Sequence, residues 1–188
     1  MPPEDEAIRR LFEPSLQDLA EERELIAKGM VPERWIALRQ HEYRRLGGAF
    51  SLALLERTPP DVELPARRDF VWQALHSRLP LFLEHHGESG YYATHRSLMQ
   101  TLWPIVDMEA AKALVPSPDS RLPFHISRSE VVSGWLIEGI TTAFEGLPNL
   151  TGQPIRDMPP LTQAQFDTMV EFIASSGMPL QPPKDSSP

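Results

Sequence analysis

The sequence predicts a mostly α-helical protein: a single-domain, irregular bundle of about seven or eight modest helices joined by long proline-rich connections. Helix-capping residues recur along the chain, and apolar residues recur at helical spacing. Alternation typical of a strand is confined to Leu122, Phe124 and Ile126, and the chain offers no second candidate strand to pair with them. We therefore expect little or no sheet.

Proline and glycine mark the boundaries of the first three helices. The expected ranges are 15–29, 32–57 and 66–85. Gly47 and Gly48 interrupt the second helix, either as a break or as a point where another helix comes close. Pro80 lies inside the third helix, and it predicts a kink or a division into two shorter helices.

Side chains that can cap a helix mark the later elements. A capping box pairs a Ser or Thr at the N-cap with a Glu or Gln three residues later, and two such pairs occur. The expected helix starts are Asp107 for a short helix ending near Val115, Ser127 with Glu130 for a helix ending at Gly146, and Thr162 with Gln165 for a helix ending at Gly177. Two independent capping boxes make these two helices the clearest in the chain.

Proline content sets the expected domain organisation. The chain has 188 residues, of which 20 are proline, and many of these prolines lie between the predicted helices. The segment 146–161 is long for a connection inside a compact domain, and loops of that length are usually functional or disordered. The last residues have the composition of a tail. We expect a helical domain at 1–177 and a proline-rich C-terminal tail at 178–188.

Composition excludes several classes of function. The chain has no cysteine, which excludes disulfides, thiolate catalysis and cysteine-based metal centres. Its net charge of −8 argues against nucleic-acid binding, which needs clustered positive charge to neutralise phosphates. No apolar run is long enough to span a bilayer. We expect a soluble, cytoplasmic protein with neither a nucleic-acid nor a membrane partner.

Histidines and glutamates are concentrated in the stretch FLEHHGESGYYATHRS, residues 82–97. A divalent-metal site could assemble here from His85, His86, Glu88 and His95, with His125 contributed from further along the chain. Adjacent histidines on a helix point about 100° apart, however, and no HExxH or HxxxH motif occurs. We therefore favour a polar helix end followed by a turn, and keep the metal site as the alternative.

No stretch carries a specific catalytic or cofactor motif. In QHEYRR, Arg45 stands where the second histidine of HExxH would have to be, so we interpret this stretch as a solvated charged face. The chain contains no GxSxG nucleophile turn, no phosphate-binding GxxxxGK[ST] loop and no GxGxxG. The sequence therefore favours a protein that is not an enzyme and has no cofactor.

The resulting hypothesis is a non-enzymatic helical protein that acts through protein–protein contacts, as an adaptor, an assembly subunit or an immunity-type binder. The adjacent tyrosines Tyr91 and Tyr92, and the tail prolines Pro179 and Pro182, are the candidate contact residues. The alternative is a helical metal-binding protein or enzyme with a His/Glu site around residues 76–95. The sequence leaves open both the identity of the partner protein and the oligomeric state.

Overall fold

The computed structural model describes residues 16–85, 99–141 and 162–183. Its α-helices are α1 (Leu16–Ala27), α2 (Pro32–Glu56), α3 (Leu64–His85), α4 (Met108–Leu114), α5 (Arg128–Thr141) and α6 (Gln163–Ser175), with a 3-10 turn at Trp103–Ile105. The described residues form no sheet, and an isolated antiparallel bridge joins Val106 to Leu180. The mostly helical bundle predicted from the sequence is confirmed. No helix in the described ranges is long and apolar enough to cross a bilayer.

The predicted caps form the hydrogen bonds that define the helix starts. The Asp107 carboxylate accepts a backbone N–H from the first turn of α4 at 3.1 Å. At α5, Glu130 N donates to Ser127 Oγ at 3.1 Å, and Ser127 N donates to the Glu130 carboxylate at 2.6 Å. Thr162 and Gln165 form the same reciprocal pair at α6. These donors have no partner inside their helices, so the caps stabilise each first turn.

The two interruptions expected in α2 and α3 do not divide these helices. α2 continues through Gly47 and Gly48, so the predicted break is wrong. α3 runs as one element through Pro80. Burial alternates along 123–126, where Phe124 and Ile126 are buried and Pro123 and His125 are exposed. The backbone bends at 122–124, and the segment does not pair into a sheet.

Two clusters of buried apolar side chains form the core. One joins α2, α4 and α5, and includes Leu46, Phe50, Leu54, Val132 and Leu136. The other joins α3 and α6 around the 3-10 turn, and includes Val71, Leu75, Ile105, Phe166 and Ile173. Apolar faces at helical spacing thus meet each other, as the sequence pattern implied.

Trp72 is exposed, whereas the other three tryptophans are buried or half-buried. Its side chain is 43% exposed, on α3. The indole stacks on the His76 imidazole with ring centroids 4.7 Å apart, and both rings meet the edge of Phe166. Trp72 therefore covers the margin of the second cluster, and His76 is part of an aromatic stack.

The close packing of α2 on α5 depends on a glycine. Tyr43 of α2 lies over Gly134 of α5, so closely that a Cβ at position 134 would overlap the tyrosine hydroxyl and ring. Tyr43 Oη donates a hydrogen bond to the Glu130 carbonyl oxygen at 2.8 Å. The two helices are therefore held together at this point by both contact and hydrogen bonding.

Residues after α6 pack back onto the domain. Gly177 adopts a left-handed φ of +73°, which a residue with a side chain rarely adopts, and turns the chain away from α6. Met178 follows and is fully buried. Two hydrogen bonds flank the Val106–Leu180 bridge: Asp107 N donates to Pro179 O at 2.9 Å, and Gln181 N donates to Ile105 O at 2.8 Å.

Arg67 of α3 fixes the same segment. Its guanidinium donates to the carbonyl oxygens of Ala174 and Met178 at 2.9 and 2.8 Å. Burial lowers the pKa of Arg67 from its usual value. Residues 178–181 are thus hydrogen-bonded to the domain, whereas residues 182 and 183 are exposed. The division into a domain at 1–177 and a tail at 178–188 stays a prediction, and residues 184–188 lie outside the described residues.

Replacement of Gly134 tests the packing of α2 on α5. We expect Gly134→Ala to lower the free energy of unfolding by about 1–3 kcal/mol, because Tyr43 must move and its bond to Glu130 is weakened. Chemical denaturation followed by circular dichroism measures the change. Gly47→Ala is the matched control, since no described atom lies within 4 Å of a Cβ there. Because Gly47 lies in the interior of α2, Gly47→Ala should raise the free energy of unfolding by about 0.5–1 kcal/mol. A loss of stability in both variants would contradict the role of the Tyr43 contact.

Candidate protein-binding groove

The predicted metal ligands lie mostly outside the described residues. His86, Glu88 and His95 are outside them, and His85 ends α3 without a described side chain. His125 is exposed in the segment before α5. Among the described side chains, no group of three or more histidines and carboxylates is close enough to hold a metal ion. The metal site remains a prediction.

The predicted partner-binding residues fall into two sets. Tyr91 and Tyr92 lie outside the described residues. Pro179 is buried where residues 178–181 pack on the domain, whereas Pro182 is exposed. A buried proline ring offers no surface to a partner, so Pro182 is the better placed of the two for contact with another protein.

A groove lies along the outer side of the contact between α2 and α5. It consists of two adjoining hollows of about 380 and 190 Å³ that share Tyr43, Arg44 and Glu138. The other lining residues that matter here are Ile36, Gln40, Gly47, Gly48 and Ser51 of α2, and Val131 and Trp135 of α5. We call this feature the α2–α5 groove. It combines an apolar wall with two cations, Arg39 and Arg44, and one anion, Glu138.

Tyr43 lines both hollows and remains protonated. Burial raises the pKa of its phenol, and the nearby carboxylates of Glu130 and Glu138 raise it further. The hydroxyl is already used as a donor to the Glu130 carbonyl oxygen. Tyr43 therefore gives the groove a fixed aromatic surface and no acid–base group that titrates near neutral pH.

Tryptophans hold the two ends of the groove in place. Trp135 stacks on Phe172 of α6 with ring centroids 4.7 Å apart and meets the edge of Phe50. Trp35 meets the edge of Phe124 at 6.3 Å. The guanidinium of Arg39 lies 5.5 Å from the centroid of the Trp35 ring. These contacts join the groove walls to the core, so the groove is preformed.

Arg39 also ties the groove to its surroundings. Its guanidinium donates to His125 O at 3.2 Å and lies 3.7 Å from the Glu130 carboxylate and 3.9 Å from that of Asp18. These contacts reach α1, α5 and the segment that precedes α5. A single half-buried cation thereby fixes three parts of the chain against α2.

α2 is apolar on its outer face as well as on its core face. Leu52 and Leu55 are 63% and 69% exposed, beside the groove residues Gly48 and Ser51. No described atom lies within 4 Å of a Cβ built at Gly47 or Gly48, so the close helix approach expected there is not made by the described residues. Exposed leucines beside open glycines form a surface suited to contact with another protein.

The sequence already contains a feature that indicates this surface. The apolar-leaning run from Gly47 to Leu55 is wider than one core-facing stripe requires. Leu46, Phe50 and Leu54 occupy the core stripe. Leu52 and Leu55 then remain as apolar residues with no place in that core, which indicates a second contact surface.

A second cleft, of about 580 Å³, lies between α1 and residues 118–125. Its carboxylates are all paired within the chain. Glu21 accepts from His125 N at 3.1 Å, Glu24 pairs with Lys28, and Asp119 pairs with Arg121 at 2.9 Å.

In QHEYRR, the side chains of Gln40, His41, Arg44 and Arg45 are exposed, as expected of a solvated face, but Glu42 is buried. Glu42 is only 4% exposed, and Arg45 binds its carboxylate with two hydrogen bonds of 2.6 and 2.8 Å. The same carboxylate accepts from Asp119 N at 3.1 Å, and Arg45 reaches Ser117 O at 3.4 Å. The hydrogen bond from Arg45 lowers the pKa of Glu42 from its usual value. This pair attaches the loop after α4 to α2.

Acid should release this pair. Folding lowers the pKa of Glu42, so its stabilisation is complete above the unfolded value of about 4.3 and is lost as pH falls through the folded pKa. Glu42→Gln should therefore reduce the loss of unfolding free energy between about pH 5 and about pH 3, measured by urea denaturation at each pH.

Glu24→Gln is the matched control for the acid experiment. Lys28 likewise lowers the pKa of Glu24, but that pair is solvent-exposed and its charge interaction is screened. If both variants change the pH dependence of the unfolding free energy equally, the buried pair contributes no more to acid sensitivity than the exposed pair does.

Comparisons with models of protein families, with curated proteins and with solved structures found no match to this chain.

Proposed function

We propose that this protein acts by binding another protein through the α2–α5 groove and the exposed face of α2 next to it. The observation that carries the proposal is the outer face of α2, where Leu52 and Leu55 are exposed beside the open glycines Gly47 and Gly48. Large apolar side chains and small hollows on one preformed helix are the features on which a second helix packs.

Three further properties of the groove support this proposal. Its walls are held by aromatic contacts to the core, so little ordering is needed when a partner binds. Arg44 and Glu138 at its edge supply both signs of charge, which can orient a partner. Tyr43 supplies aromatic contact area, a common component of protein interfaces.

The metal-dependent alternative has less support. Of its five predicted ligands, only His125 has a described side chain, and the His125 backbone N and O are hydrogen-bonded to Glu21 and Arg39. The groove is built entirely from described residues. Protein binding is therefore the function that the geometry supports best.

Site-specific photo-cross-linking tests the proposal. A photoreactive phenylalanine analogue at Gln40 or Ser51, in extracts of cells that express the chain, should give products that contain a second polypeptide. Gln73, exposed on α3 and outside the groove, is the control position and should give none. Mass spectrometry of the linked peptides identifies the polypeptide.

Binding of the identified polypeptide to the purified chain then provides a quantitative test. We expect Leu52→Ser with Leu55→Ser to weaken binding at least about tenfold, because apolar contact area is lost. Val62→Ser is the matched control, since Val62 is also exposed and apolar but lies in the turn before α3 and not on α2. Equal products at Gln40, Ser51 and Gln73, or equal affinity in all variants, would refute the proposal.

A further inference from the structure

We infer that the polypeptide that occupies this face is a second copy of the same chain, with α2 packed antiparallel on α2 about a two-fold axis. The inference rests on the proposed function, because it assigns the occupant of the same surface. It depends on the order of residues along one exposed ridge of α2.

The ridge consists of Arg44, Gly48, Leu52 and Glu56. These residues are four apart, so they lie in one line along the helix surface. All four are exposed. Along the line they present a cation, a hollow, a large apolar side chain and an anion, in that order.

One symmetric register matches all four positions. In an antiparallel pair with the two-fold axis at the level of Phe50, position 48 of one chain faces position 52 of the other. The same register places position 44 opposite position 56. Leu52 of the second copy then enters the hollow at Gly48, and Glu56 of the second copy faces Arg44.

Symmetry doubles each of these contacts. A two-fold interface uses the same patch on both chains, so every contact between two different positions occurs twice. Two leucines enter two glycine hollows, and two ion pairs flank them. To bind a different protein, this surface would need only one member of each pair: either the leucine or the hollow, and either the cation or the anion. The presence of both members, spaced equally about one point, selects a second copy.

The open space at Gly48 is consistent with this packing. No described atom lies within 4 Å of a Cβ at Gly48, so an incoming leucine meets no described side chain. Ser51 and Leu55 are four residues apart on the neighbouring row of the helix, and they extend the contact surface on one side of the ridge. Helix pairs of this size bury less than the roughly 800 Å² per partner of a standard interface, so we expect a dissociation constant on the order of 10 μM.

Analytical ultracentrifugation of the purified full chain tests the inference. Over about 1 to 300 μM we expect a concentration-dependent change from monomer to dimer, with no larger species, because a two-fold interface is closed. Gly48→Leu should weaken dimerisation at least about tenfold, since the hollow is filled. Circular dichroism checks that the variant remains folded.

A charge exchange tests the register itself. Arg44→Glu alone places like charges opposite each other twice, and Glu56→Arg alone does the same, so each variant should dimerise more weakly. The double variant Arg44→Glu with Glu56→Arg restores opposite charges and should recover dimerisation. Val62→Arg is the control for a charge change on an exposed residue outside the ridge.

The possible failures are distinguishable. A protein that is monomeric at every concentration overturns the inference, as does a dimer in which the double variant is not rescued. If that monomer still gives cross-links from Ser51 to a different polypeptide, the inference fails and the proposed function stands. If Ser51 gives no cross-link to any polypeptide, both fail.

Discussion

The arrangement of the molecule depends on the close approach of α2 and α5 at Tyr43 and Gly134. Because Gly134 has no side chain, the Tyr43 ring lies against the backbone of α5, and its hydroxyl reaches the Glu130 carbonyl oxygen. A larger residue at position 134 would separate the helices, and the space between their outer sides would change with it. The same contact thus sets both the core on one side of the pair and the groove on the other.

α2 has two apolar faces, and only one of them is buried by the described residues. Leu46, Phe50 and Leu54 form the inner face, where they pack in the core. Leu52 and Leu55, on the outer face, are mostly exposed. Large apolar side chains that stay exposed on a helix favour contact with another surface. This imbalance connects the packing of the domain with its proposed binding function.

Local features of the fold could be predicted from the sequence, because their determinants lie within a few residues. Asp107, Ser127 and Thr162 cap their helices as expected, since a cap needs only a side chain and the next turn of backbone. The exposed Trp72 could not be predicted, because its position depends on a stack with His76 against Phe166 of another helix.

The candidate site was only partly predictable, for the same reason. Glu42 looked solvated because its local sequence is charged, yet a loop more than seventy positions away buries it. The open glycines in α2 were recognised as a possible helix contact, but the leucines beside them became meaningful only when the core stripe was known. Contacts distant in the sequence decide which apolar residues are left over.

The anchoring of α6 and residues 178–181 by Arg67 has a consequence for folding kinetics. Arg67 reaches Ala174 and Met178 across 107 and 111 positions of sequence, so α3 and the end of the described chain form one interdependent unit. Contacts of such long range are slow to form, because a large loop must close before they stabilise anything. Although the protein is helical, it should fold more slowly than a bundle of sequential hairpins.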